Sequence, residues 1–408
     1  MSQDEARMLL TADSRQQTAD SHNYSPQLKV LYVTHYTSMY GANLALYNLM
    51  LDMRERHGVI PSVLAPGEGD FTTKCREKGF EVFSSKFYEW TVSFRLRSKI
   101  KGLAKYILNH ALCYRKILRL FSDKHFSIIH TNSSVTDIGS FLAQRFKFHH
   151  VWHVREFGLK DYDMKYFLPM SSVRREYSRS DAVIAISRSI YNSLVNERRI
   201  CQADNTRIIY NGLRVPAPYQ KRQPSSTIHF CLVGLIYPSK NQLTAIRACA
   251  KLKARTDKFM LHIVGSGGGK YMQMLTNEIA SCGLEEHVKL WGYRSDVDDI
   301  LHDMDVGLML SNCEAFGRVT VEYMLNYMPV IGVDSGATPE IVIDGETGCI
   351  CPLNDTDKLA ELMHRFITNP ELLHSMGNKG REHAISNFSL ERNTDAIYSL
   401  YQEILSTR

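Results

Sequence analysis

Long apolar runs are missing from this sequence. The longest, such as Ala182 to Ile186, are strand-sized and fall far short of the ~20 residues a membrane-spanning helix needs. The first residues, MSQDEARMLLTADSRQQ, carry acids and no apolar core of signal-peptide length, so secretion is not expected. The nine cysteines (75, 113, 201, 231, 249, 282, 313, 349 and 351) are odd in number and include no CxxC, so reduced, mostly buried thiols in a cytosolic chain are expected. Cys349-x-Cys351 is the one close pair, and two cysteines alone do not make a zinc site. Glycine and proline, at 24 and 12, are too scarce for a collagen-like or low-complexity chain.

Acidic residues are absent from one stretch. Between Glu89 and Asp123 there is none, while Arg95, Arg97, Lys99, Lys101, Lys105, Arg115, Lys116 and Arg119 all fall inside it. Leu96, Ile100, Leu103, Ile107, Ala111, Tyr114, Leu118 and Phe121 recur there every three or four residues, which predicts a long amphipathic helix with basic flanks. Such a helix either packs with a solvated basic face or docks on anionic lipid, at roughly 1 kcal/mol per basic residue near the surface. The docking reading is preferred. Nucleic acid is not expected as a partner, because no binding motif accompanies the charge.

What is present is a globular composition, 44% apolar and 23% charged with a net charge of +6. At about 150 residues per domain, 408 residues suggest two or three domains. Residues 1–26 read as a loose polar tail. Short apolar runs then alternate with helical stretches: LKVLYVT (28–34), VIPSVLA (59–65), FSIIHTN (126–132), HVWHV (150–154), AVIAIS (182–187) and RIIYNG (207–212). Pro216, Pro218 and Pro224 mark a polar linker, and a second series follows from IHFCLVG (228–234) to MPVIGVD (328–334). The pattern predicts two α/β halves with parallel sheets, 27–215 and 222–388, and a final helix over 389–408. In open α/β sheets, ligands bind beyond the carboxyl ends of the strands.

The richest segment is SNCEAFGRVTVEYMLNYMPVIGVDSGATPEIV (311–342). Glu314 lies in a loop, and Glu322 follows on a helix that starts near Gly317. The N–H groups of Ala315, Phe316 and Gly317 are free to face a phosphate, and Glu322 suits the vicinal hydroxyls of a ribose. Either glutamate alone is an unremarkable acid; the whole string is not. VGLIYPSKNQ (233–242) places Lys240 at a helix start, where it reaches a diphosphate or is simply solvated. IVGSGGGK (263–270) is a glycine-rich loop after a strand, and in THYTSMYGANLAL (34–46) Gly41 opens a helix that can hold an anion. GxGxxG, which a dinucleotide site requires, is absent after that first strand. VWHVREF (151–157) puts His153 at a strand end; Arg155 and Glu156 either pair with each other or line the acceptor side.

The E-x7-E string followed by PVIGVDSGATPEIV resembles the retaining glycosyltransferases of the group 1 type (family 4), which have the GT-B fold. The resemblance runs from about Leu28 to Tyr401 and is strongest over 228–345. It implies two Rossmann-like domains facing across a cleft, with the C-terminal helix crossing back to the N-domain. It implies a UDP- or GDP-linked sugar as donor, with no cofactor and no metal needed for the chemistry. Glu314 would contact the donor sugar, Glu322 the ribose, and the amides of Ala315, Phe316 and Gly317 the sugar and distal phosphate. Lys240 would hold the diphosphate, Gly265 and Gly267 would line the nucleotide pocket, and Tyr293 and Arg294 would receive the base. His153 would stand near the reacting centre, completing a catalytic set of Glu314, His153 and Lys240.

The chain departs from the family at Leu235, where an arginine is expected and Arg318 could compensate. It departs again at Tyr40, where the family has glycine. The implied function is retaining sugar transfer to a glycan or lipid-linked acceptor in surface polysaccharide synthesis. The chain would be cytoplasmic, docked peripherally on the inner membrane face through the basic helix. Two alternatives stand. One is a GT-B nucleotide-sugar epimerase, which the E-x7-E context opposes. The other is a catalytically degenerate homologue that binds a partner, supported by Leu235 and Tyr40.

Overall fold

The computed structural model describes residues 27–93, 102, 104–162, 164–221 and 226–407. The expected tail and four basic positions, Arg95, Arg97, Lys99 and Lys101, lie outside the described residues. Among the described residues fifteen strands occur in chain order. In the first half they are β1 (Lys29–Val33), β2 (Ile60–Ala65), β3 (Glu81–Ser84), β4 (Thr91–Ser93), β5 (Ile128–Thr131), β6 (His149–Val154), β7 (Met164–Tyr166), β8 (Ala182–Ala185) and β9 (Thr206–Ile208). In the second they are β10 (Ile228–Val233), β11 (Phe259–Val264), β12 (Val288–Gly292), β13 (Val306–Met309), β14 (Val330–Val333) and β15 (Gly348–Cys351).

These strands build two parallel sheets, ordered β3-β2-β1-β5-β6-β8-β9 and β12-β11-β10-β13-β14-β15. β4 and β7 pair antiparallel apart from both. Both faces of each main sheet are covered by helices, so the central strands are buried throughout: Val30 to Val33, Ile128 to Thr131 and Ala182 to Ala185. In each sheet the order reverses beside the first strand, β1 or β10. The loops at their carboxyl ends therefore open into a crevice.

The chain passes between the domains twice, side by side. Leu213 N–H donates to Phe388 O at 2.9 Å and Leu390 N–H to Leu213 O at 2.8 Å. Arg381 reinforces the crossing by donating to Pro216 O at 2.7 Å. Helices near the cleft between the domains include α1 (Gly41–His57) and α2 (Arg188–Tyr191) from the first and α3 (Arg318–Leu325) and the short α4 (Thr338–Ile341) from the second. The last helix, α5 (Leu390–Ser406), returns to pack on α1 against the N-terminal sheet. Ile397, Leu400, Tyr401 and Ile404 lie there with Leu46, Leu49, Met50 and Met53 in one buried cluster. Asp395 anchors the pair, accepting from Arg56 at 2.9 Å and lying 2.8 Å from His57 Nε2.

The expected apolar stripe on the basic helix is only half right. The chain is helical over 104–120, with a π-helical turn at Asn109–Cys113. Tyr114, Ile117 and Phe121 are buried against Ile138 and Leu142. Ile107 and Ala111, by contrast, face outward. The wider π turn slips the apolar phase, so positions before it no longer share a face with those after it. Lys105, Arg115, Lys116 and Arg119 are exposed beside Ile107 and Leu112, which are 57% and 63% exposed. Among the described residues no helix is long and apolar enough to cross a membrane.

Candidate functional site

A cavity of about 940 Å³ separates the two sheets. From the N-terminal domain His35, Gly41, Arg155 and Glu156 line it; from the C-terminal domain come Lys240, Glu314 to Gly317 and Arg318. Two helices aim their N-termini at it, one from each domain. α1 begins at Gly41 and α3 at Arg318; neither N-cap residue caps its helix with its own side chain, while Tyr36 Oη accepts the Asn43 N–H of α1 at 3.0 Å. Both starts sit in the left-handed region, Gly41 at φ +25 and Gly317 at φ +83. The starts of two helices and their dipoles thus converge on one space, a setting for an anion.

The loops that present these groups are cross-braced. Asn43 holds the loop before α1, donating to Tyr36 O and Ser38 O, both at 2.9 Å. Asn241 donates to Leu310 O at 2.8 Å and to Asn312 Oδ1 at 2.5 Å, tying the Lys240 loop to the Glu314 loop. Gly336 runs directly beneath Glu314: a Cβ there would meet Glu314 O at 2.4 Å and Glu314 N at 2.5 Å. Ala337 N–H donates to Glu314 O at 2.8 Å. The GATPE turn is thus the floor on which the Glu314 loop rests.

Both glutamates of the E-x7-E string are paired with cations. Lys240 Nζ stands 2.7 Å from Glu314 Oε2, and Arg318 Nε stands 2.8 Å from Glu322 Oε1. Burial pushes the Glu322 carboxyl up, and Arg318 pulls it back. The Phe316 ring packs beside Phe388 and Tyr210. Leu235, 55% exposed, and Tyr40, 68% exposed, both line the cavity, from opposite domains.

His153 requires a correction. It lies within β6, is fully buried and does not line the cavity. Its Nδ1 is 3.0 Å from His130 Nε2 and 3.3 Å from Arg155 Nη2, and Tyr401 of α5 reaches His130 Nδ1 at 2.7 Å. A guanidinium can only donate, so His153 Nδ1 is the acceptor and His130 carries its proton on Nε2. Burial drives both imidazoles well below the ordinary histidine range, so both are neutral. Two residues further along, past the strand end, Arg155 and Glu156 form the cavity wall instead. They do not pair with each other. Glu156 Oε1 accepts from Ser133 Oγ, Ser134 N and Ser134 Oγ at 3.0, 2.6 and 2.5 Å.

The residues expected on the nucleotide side lie outside this cavity. Gly265 and Gly267 do not line this cavity; their missing side chains make room for protein. A Cβ on Gly265 would meet Gly234 O at 1.8 Å, and one on Gly267 would meet Ile236 Cβ at 2.4 Å. Tyr293 is 67% exposed and outside the cavity wall, and Arg294 pairs with Asp296 at 2.8 Å through Nε. Asp161 and His35 line the cavity without having been singled out from sequence. Burial pushes Asp161 up to about 6 and lowers His35. Their one sequence signal was their position just after β6 and β1.

Among the described residues no group of three or more His, Cys, Asp or Glu is placed to hold a metal ion.

Known proteins share both the sequence pattern and the fold. The family described as "Glycosyltransferase Family 4" matches residues 41–215, and "Glycosyl transferases group 1" matches 219–383. N-acetyl-alpha-D-glucosaminyl L-malate synthase of Bacillus anthracis is 26% identical over 244 residues, 57% of this chain and 62% of that protein. Lipopolysaccharide core biosynthesis mannosyltransferase LpcC of Rhizobium leguminosarum bv. viciae is 28% identical over 173 residues, 42% of this chain and 45% of its own length. The chain thus spans less than two thirds of the curated relatives it matches. Among solved structures, Anabaena Alr3699/HepE in complex with UDP and glucose superposes with a TM-score of 0.74 at 20% identity, covering 92% of this chain and all of that one. A glycosyltransferase from Rickettsia africae ESF-5 superposes with a TM-score of 0.78 at 19% identity, covering 94% and 100%. One match falls on each sheet and the paired arrangement is shared, so the chain belongs to the group 1 glycosyltransferases of the GT-B type.

Proposed function

We propose that the cleft binds a nucleotide-diphosphate sugar and transfers its sugar, with retained configuration, to a hydroxyl of a glycan or lipid-linked acceptor. One observation carries this reading: the N-termini of α1 and α3, from different domains, meet Lys240 in one cavity. The HepE structure with UDP, and a relative named for GDP-mannose dependence, support a nucleotide-linked donor.

Lys240 begins as the partner of Glu314. An arriving diphosphate takes the ammonium, and Glu314 turns to the hydroxyls of the sugar. Charge developing on the departing diphosphate is then met by Lys240 and by the amides at the two helix starts, which are already in place. Glu322 holds the ribose from the first turns of α3. His153 acts from below, as a buried support for Arg155. The remaining rate enhancement comes from holding donor and acceptor in register across the two domains, with no cofactor. The helix over 104–120 supplies the acceptor-side surface. Lys105, Arg115, Lys116 and Arg119, with Ile107 and Leu112 beside them, suit an anionic lipid layer on the inner face of the membrane.

A degenerate binding protein is the second reading, favoured by Leu235 and Tyr40 on the cavity wall. Thermal-shift binding of UDP, GDP, ADP and their sugars, in parallel with Glu322→Ala, separates the two. One nucleotide should raise the Tm of the wild type, and the shift should shrink in the variant. No shift with any of them sinks the transferase reading. Co-sedimentation with anionic vesicles, lost in Lys116→Glu/Arg119→Glu, checks the membrane surface; equal sedimentation of both proteins rejects it.

A further inference from the structure

Four cations border the cavity, but they do not have the same partners: Lys160 is paired with Glu197. Lys240 and Arg318 are neutralised by Glu314 and Glu322. Arg155 touches only neutral acceptors. Its Nε donates to Asn132 Oδ1 at 2.6 Å, its Nη1 to Asn211 Oδ1 at 2.5 Å and its Nη2 to His153 Nδ1 at 3.3 Å. Among the described residues no carboxylate forms an ion pair with it. Glu156, its neighbour in sequence, is turned to Ser133 and Ser134. Yet Arg155 is only 8% exposed.

A buried charge with no carboxylate in direct contact is costly, and a ligand of opposite sign offsets that cost. The protein also invests in the direction of this side chain. Asn132 follows β5, Asn211 lies at the domain crossing, and His153 is braced through His130 by Tyr401 of α5. Four separate segments thus fix one guanidinium against the cleft wall. Burial brings its guanidinium down to about 10, with Tyr36 and Glu156 opposing the fall and the charge of Arg318 adding to it, and leaves it charged at neutral pH. Arg318 stands on the opposite domain, so an anion between the two guanidiniums relieves both penalties. Leu235, on the same cavity wall, brings no charge of its own.

We propose that Arg155 binds the diphosphate of the donor from the N-terminal domain, so that the phosphates bridge the two domains. The assignment rests on the nucleotide-sugar reading of the cleft. It makes Arg155 a phosphate-binding residue, with Asn132 and Asn211 as the residues that position it. Charge-assisted, bidentate contact is what a guanidinium offers a phosphate and a lysine does not.

Isothermal titration of the full chain tests this with UDP, GDP and ADP, and then with the matching nucleoside and nucleoside monophosphate of whichever binds. Wild type should prefer the diphosphate over the nucleoside. In Arg155→Gln that preference should fall at least tenfold, while nucleoside affinity stays within about twofold. Circular dichroism and Tm establish that the variant is folded. If it is not, Arg155→Lys is read by the same ratio, which should fall several-fold with loss of the planar fork. An unchanged diphosphate preference in the folded variant overturns the assignment and leaves the nucleotide-sugar reading standing. Equal losses for nucleoside and diphosphate also overturn it, because they mark a merely structural role. A wild type that binds none of the three nucleotides overturns the nucleotide-sugar reading itself, and this assignment with it.

Discussion

Glu340 of α4, in the C-terminal domain, accepts the backbone N–H of Ser189 in the N-terminal domain at 2.6 Å. Its other oxygen accepts from Arg188 N–H at 2.7 Å and from Tyr210 Oη–H at 3.1 Å. A carboxylate from one domain thus caps the first turn of α2 in the other, while Ser187 Oγ takes the next amide, Ile190, at 3.0 Å. Glu340→Ala removes the cap and should cost about 1–2 kcal/mol at the domain contact. The expected signs are a larger radius of gyration in small-angle scattering of the ligand-free protein and a lower Tm. Scattering identical to wild type would show that the contact does not hold the domains together.

Gly336 is predicted to be irreplaceable for ligand binding. Its φ of +57 already disfavours a side chain, and a Cβ would press on the Glu314 backbone at 2.4 Å. Gly336→Ala must therefore displace the loop carrying Glu314, with at least a tenfold loss of donor affinity by calorimetry. Gly345→Ala is the control: its φ is +77 but nothing lies within 4 Å, so it should lose only about 1 kcal/mol of stability. Equal donor affinity in the two variants contradicts the account of the loop floor.

Tyr401→Phe deletes the donor to His130 Nδ1 at the base of the relay to Arg155. All three rings lie in fully buried surroundings, so no water replaces the hydroxyl. An unsatisfied nitrogen there should cost about 1–3 kcal/mol, read as a lowered Tm. Donor affinity should weaken less than in Arg155→Gln, because Asn132 and Asn211 still hold the guanidinium. A variant as stable as wild type argues against the tautomers assigned to the pair.

Asp161 gives a pH signature. Burial raises its carboxyl to about 6 in the folded chain, with Glu156 pushing the same way, although the Phe157 N–H pulls it down at 2.8 Å. Folding therefore tightens proton binding, and stability falls as pH rises from about 4, the unfolded value, to about 6. Above that it is level. Asp161→Asn keeps an oxygen for Phe157 and removes the charge. It should be more stable than wild type at pH 7.5 by up to about 2–3 kcal/mol, and no more stable at pH 4. Parallel Tm–pH curves for the two proteins would rule the charge out.

Much of the architecture is legible in the residues alone. Buried parallel strands write themselves as short continuous apolar runs, which is why LKVLYVT, AVIAIS and IHFCLVG locate β1, β8 and β10. The E-x7-E string is equally readable, since loop and helix residues eight apart stay near one another whatever the rest of the chain does. The basic helix is less so: its apolar spacing assumes an unbroken period, and the π turn at Asn109–Cys113 breaks it.

By itself, then, the sequence determined the elements, their alternation, and the identity of groups that act through their own local segment, such as Glu314, Lys240 and the start of α3. Only the tertiary structure decided which residue of VWHVREF reaches the cleft. His153 and Arg155 differ by one strand repeat, and the depth of the strand end beneath α5 buries the first and exposes the second to the cavity. It also decided that Gly265 and Gly267 make room for neighbouring backbone, and that Glu340 caps a helix in the other domain. These facts depend on contacts between segments far apart in the chain, and such contacts leave no periodic mark on the residues that make them.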